Sequence, residues 1–100
     1  MTRNHDALTR VWAAELGPRG VTVNAVAPGL VDTAMLRAAT ARMGEEAVKG
    51  MVVRTPLGRL GTTSNVADVV AFLASPDARW VTGQELDTTG GLAPKLKVNK

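Results

Sequence analysis

Apolar positions along the chain fall into segments of different period. Leu8, Val11, Trp12 and Leu16 are spaced as one face of a helix, predicting a helix over Asp6–Leu16. Gly17-Pro18 supplies its stop, because Gly tolerates the left-handed region and Pro cannot continue a helix. From Val21 to Ala27 the pattern is apolar on both faces: Val21, Val23, Ala25 and Ala27 on one, Thr22, Asn24 and Val26 on the other. Such a strand suits the interior of a parallel sheet covered by helices on both sides, and Pro28, without an N–H, is expected to end its ladder.

Asp32–Gly44 is Ala-rich, with Met35, Leu36, Ala39 and Met43 at helical spacing, and predicts a short helix. Glu45–Val53 reads as a second short helix or a loop. Pro56, Gly58 and Gly61 mark turns. Thr62 has the chemistry of an N-cap, and Val66, Val69, Val70 and Leu73 form another helical stripe that stops before Pro76. Asp77–Gly83 reads as a loop, Gln84–Thr89 as a final strand and Gly90-Gly91 as a turn. The predicted class is α/β, with about two strands, two main helices and short helices between them. Two strands alone would leave edges unpaired, so the pattern predicts part of a larger doubly wound sheet or a chain that assembles with copies of itself.

Composition narrows the function. The 100 residues contain no cysteine and one histidine, His5, which excludes a disulfide framework, a thiolate metal site and a multi-histidine centre. The net charge of +3 resides in Lys95, Lys97 and Lys100, since residues 1–94 hold nine basic and nine acidic residues. The chain therefore divides into a folded unit, 1–94, and a basic tail, 95–100. Without clustered Lys/Arg or stacking aromatics, a nucleic-acid surface is not expected. No segment approaches the roughly 18 apolar residues of a membrane span, and no signal peptide is apparent, so the expected location is cytoplasmic.

Candidate chemistry concentrates where the first strand ends. Ligands of open α/β sheets bind at the carboxyl ends of parallel strands, which makes Pro28 and Gly29 candidates for a binding-site wall as well as a plain turn. Thr33 suits a helix cap, a role that leaves its hydroxyl beside a cavity. Asp32 reads as a solvated charge near a helix N-terminus, and His5 as a solvated side chain rather than a catalytic one. Gly58-Arg59-Leu60-Gly61 lacks the spacing of a dinucleotide fingerprint.

Five segments together carry a family resemblance: Ala7–Thr33, Pro56–Thr62, Val66–Ser75, Val81–Gln84 and Asp87–Gly91. In this order they resemble the C-terminal half of the short-chain dehydrogenases/reductases. The resemblance spans residues 7–93 and implies the C-terminal portion of a Rossmann-type doubly wound parallel sheet in an oxidoreductase using NAD or NADP. It implies that Pro28 and Gly29 shape the turn facing the nicotinamide. It further implies that the Val31 backbone binds the carboxamide, and that the Thr33 hydroxyl contacts carboxamide or pyrophosphate. Ala34 to about Arg54 would be the lid over a small alcohol or carbonyl substrate, and the last helix and strand a subunit interface in a homo-oligomer.

Departures from the family pattern bear on activity. The family's glycine-rich loop and catalytic Asn and Ser lie upstream of the matching region, and its Tyr-x-x-x-Lys lysine falls at Thr2, with the tyrosine before Met1. The sequence contains no tyrosine, so no catalytic residue is assigned. The last helix opens with Thr63-Ser64-Asn65 where the family usually carries Pro-Glu-Asp, which removes negative charge from a helix N-terminus. Three expectations remain open: the C-terminal segment of a reductase, inactive alone; a non-catalytic module that assembles with itself or a full-length paralogue; and a truncated or mispredicted product.

Overall fold

The computed structural model describes residues 4–92, with side chains from Ala7 onward. The readings of the basic tail, of Thr2 and of the His5 side chain lie outside the described residues. Four helices and two strands follow in the order α1 (Asn4–Leu16), β1 (Ala25–Pro28), α2 (Ala34–Met43), α3 (Glu45–Val53), α4 (Thr63–Leu73) and β2 (Glu85–Thr88). Short 3-10 turns, Gly17–Arg19 and Pro76–Ala78, follow α1 and α4. The class is α/β, as the periodicities predict.

β1 and β2 are parallel neighbours, with Ala25 opposite Glu85 and Pro28 opposite Thr88. β1 is shorter than its apolar run. Val21–Asn24 is not strand, because Gly83 bends the opposing chain (φ 73°) where a ladder would have to continue. One backbone bond continues, Gly83 N–H to the Val23 carbonyl at 2.7 Å, and side chains supply the rest: the Thr82 hydroxyl accepts from the Val23 N–H at 3.0 Å, and the Asn24 side chain donates to the Val81 carbonyl while accepting from the Gln84 N–H.

The ladder also passes Pro28. Ala25 donates to Gln84 and Gly29 to Thr88, so odd-numbered residues of β1 face β2 and even-numbered ones face the opposite edge. Pro28 therefore lacks its N–H on the side where β1 has no neighbour among the described residues, and the pairing with β2 is undisturbed.

Helix α4 covers one face of the strand pair, with Val70, Leu73 and Ala74 around a cavity of about 380 Å³ against Thr22, Asn24 and Val26. Helix α1 packs on β1 by a different stripe from the one its large apolar residues predict. Thr9 and Ala13 are buried, whereas Leu8, Val11 and Trp12 stand about half exposed. Small side chains let the helix come close: a Cβ on Gly83 would meet the Ala13 Cβ at 3.5 Å. The remaining buried residues, Val48, Thr55 and Ala78, are scattered. Trp80 is 96% exposed. Apolar faces thus outnumber the surfaces that cover them within the described fold.

Helix α4 begins as predicted. The Thr62 side chain accepts from the Asn65 N–H while the Asn65 side chain accepts from the Thr62 N–H, a reciprocal capping box.

Candidate functional site

All four residues expected to line a cofactor fall in one continuous turn at the carboxyl end of β1, between Pro28 and the start of α2. Their local roles differ. Gly29 sits against the strand beside it: a Cβ there would lie 2.9 Å from the Thr89 Cα, so only glycine lets β1 turn this close to the chain leaving β2. Its identity is fixed by packing, and that packing sets where the turn stands.

Val31 forms an isolated parallel bridge with Gly61. The bonds of that bridge belong to its neighbours: the Leu30 carbonyl accepts from Gly61 N–H, and the Asp32 N–H donates to the Gly61 carbonyl, both at 2.9 Å. The N–H and C=O of Val31 are consequently turned to the other side, and neither has a hydrogen-bond partner among the described residues. Half-buried backbone groups of this kind are normally paired, so a donor and an acceptor side by side at a strand's carboxyl end invite a ligand with the converse pair.

Thr33 is the N-cap of α2, its hydroxyl oxygen accepting from the Leu36 N–H at 3.1 Å. That bond uses the oxygen as acceptor and leaves the hydroxyl proton to donate elsewhere. Asp32, read as a solvated charge, is exposed and also pairs with Arg37 at 2.9 Å. Both side chains are exposed, so the pair contributes little to stability.

A primary amide presents one acceptor and two donors. The Val31 N–H and C=O fit it as a complementary pair, with Thr33 and its hydroxyl two residues on. A nicotinamide carboxamide is one such group. Among the described residues no cluster of three or more His, Cys, Asp or Glu is placed to hold a metal. No helix is long and apolar enough to cross a membrane.

Two features of this region carried no local sequence signal beyond their glycines. The Gly61 bridge ties the turn to the segment before α4, and the Leu57 N–H donates to the Gly90 carbonyl at 3.0 Å, tying the end of α3 to the end of β2. A cleft of about 280 Å³ lies between these ties, lined by Leu30, Arg59, Asn65 and Thr88 among others. The Arg59 guanidinium is held there by the Leu60 carbonyl and the Asn65 side chain.

Comparison with known proteins identifies the family. The family model described as enoyl-(acyl carrier protein) reductase matches residues 4–93. An uncharacterised oxidoreductase of Methylorubrum extorquens is 48% identical over 87% of this chain and 35% of its own length. A 3-oxoacyl-[acyl-carrier-protein] reductase of Thermotoga maritima is 45% identical over 85% of this chain and 33% of its own length. The crystal structure of 3-oxoacyl-[acyl-carrier protein] reductase from Brucella melitensis superposes with a TM-score of 0.80 at 42% identity, covering 88% of this chain and 31% of that one. The chain thus spans about a third of the length of these relatives.

Proposed function

The chain belongs to the short-chain dehydrogenase/reductase family, and from that premise we propose that it forms the nicotinamide-side turn and substrate lid of an NAD(P)-dependent oxidoreductase. The observation that carries this reading is the Val31 N–H and C=O pair, unpartnered among the described residues at the carboxyl end of a parallel strand. Val31 and Thr33 hold the carboxamide, and Pro28 and Gly29 fix the height of the turn beneath it. A nicotinamide bound there supplies or accepts hydride at an alcohol or carbonyl carbon. Helices α2 and α3, which follow the turn directly, would form the lid over the substrate, with the exposed Met35 and Met43 available to an apolar substituent. The carbonyl function is proposed from relatives named as 3-oxoacyl-[acyl-carrier-protein] reductases.

The test is an amide-shift titration of the labelled 100-residue chain with NADH, NADPH and nicotinamide mononucleotide. The expected result is movement of the Val31 and Asp32 amides with all three, since the mononucleotide keeps the nicotinamide half with its carboxamide and lacks the adenosine half. Val31 and Asp32 amides unmoved at saturating dinucleotide would overturn the assignment. The chain by itself is expected to reduce no carbonyl, because its sequence contains no tyrosine to serve as proton donor.

A second reading is supported by the exposed apolar faces. Leu8, Val11 and Trp12 on α1 present an apolar face that monomers seldom leave uncovered. On this reading the chain is a non-catalytic module that associates with a second copy or a full-length paralogue. Sedimentation separates the two readings: a stable folded monomer at all concentrations rejects self-association.

A further inference from the structure

The α2–α3 hairpin packs chiefly on itself and joins the strand pair through two short anchors. At its start, the Leu30 and Asp32 backbone bonds to Gly61 hold the chain entering α2. At its end, the segment Thr55–Leu57 rests on the Gly90-Gly91 turn beyond β2. Thr55 is 4% exposed, and its hydroxyl donates to the Met51 carbonyl, locking the segment to the last turn of α3. The Leu57 N–H donates to the Gly90 carbonyl, locking it to β2.

Between these bonds the Pro56 ring lies flat against Gly91. A Cβ at position 91 would stand 2.7 Å from Pro56 Cγ and 3.0 and 3.1 Å from its Cβ and Cδ. Gly91 also has φ 94°, a backbone conformation that an L side chain opposes. A proline ring cannot swing aside as a long side chain does, so the separation of α3 from β2 is set by the contact of a rigid ring with a bare Cα.

We propose that Pro56 seated on Gly91 sets the height of the α2–α3 hairpin over the Val31–Thr33 turn, making both positioning residues of the site. The proposal rests on reading residues 34–54 as a lid. Its test reads the lid without any cofactor, so its failure and the failure of nicotinamide binding are distinguishable.

The experiment is an amide-shift and hydrogen-exchange map of the full 100-residue chain with Pro56→Ala, Gly91→Ala, the pair combined, and Gly20→Ala. Gly20 has φ 77° and nothing within 4 Å of a built Cβ, so its variant carries backbone strain without a clash. The expected result is displacement of the α2 and α3 amides in Pro56→Ala and in Gly91→Ala, with Ala25, Ala27 and Gly29 unmoved. Leu57 amide exchange should accelerate about tenfold in Gly91→Ala, the loss of one backbone bond. Combining the variants should shrink the displacement of Gly91→Ala, since Cγ and Cδ are gone. Gly20→Ala should leave the lid in place. Lid amides at their native shifts in Pro56→Ala, or moved equally by Gly20→Ala, or moved no more than the strand amides, would each overturn the proposal. Should Gly91→Ala not fold, Pro56→Ala decides alone, because it takes away the ring without adding bulk at the contact.

Discussion

Gly29 and Thr89 touch so closely that a methyl group on Gly29 would sit 2.9 Å from the Thr89 Cα. The contact joins the last turn of β1 to the chain leaving β2, and through it the candidate site takes its position from the sheet. Replacing Gly29 with Ala forces backbone apart. Overpacking of this kind costs about 1–3 kcal/mol, and chemical denaturation should show a lower midpoint and an unfolding free energy reduced by that amount. An unchanged midpoint would mean that the strands separate freely here.

Thr33 has two roles, and two substitutions separate them. Thr33→Ala removes the cap of α2 and should destabilise by about 1 kcal/mol, with faster exchange at the Leu36 amide. Thr33→Ser keeps the oxygen and should restore both the cap and nicotinamide binding. If Ser restores the cap alone, the methyl group and not the hydroxyl serves the ligand.

The helix α4 N-terminus offers a gain of stability. Asn65 already closes the capping box and accepts from Arg59 at 3.0 Å. Asn65→Asp keeps an acceptor oxygen and adds negative charge at the positive end of the helix dipole and beside a guanidinium. The expected gain is about 0.3–1 kcal/mol, reduced by added salt. Loss of stability on this change, measured by thermal unfolding at low salt, would show that the Asn geometry outweighs the charge.

Trp80 and Trp12 distinguish folding from association. Trp80 is nearly fully exposed, so Trp80→Ser should alter unfolding by less than about 0.5 kcal/mol. Trp12→Ser should likewise leave the monomer fold intact while lowering the sedimentation mass of any assembled species. A large drop in monomer stability from Trp12→Ser would place its ring in the fold instead.

Much of this architecture was legible from local pattern. Leu8 to Leu16 and Val66 to Leu73 announced helices, and the Thr62 cap and the strand-Pro-Gly-Thr turn stood where the sequence placed them. Helix α3 was harder to see, since its N-cap is Gly44 with no side-chain bond. The legible signal was Glu45 and Glu46 in its first turn, which favour the helix dipole. Misreadings arose where small residues carry the packing. Ala13, not Trp12, meets the sheet, because a close approach needs little side chain, and hydrophobic spacing weighs bulk instead. The Val31–Gly61 bridge and the Pro56–Gly91 contact each join segments about 30 or more residues apart, and no local periodicity encodes them.

The proline at the end of β1 reaches beyond its own turn. Its blank faces the edge that is open in the described fold, where Val26 still offers a donor and an acceptor. An incoming strand can therefore zip along that edge only until it meets Pro28, where a tooth is missing. A strand added there would be one backbone bond short, so the residue at the candidate cofactor turn also weakens pairing along its own edge.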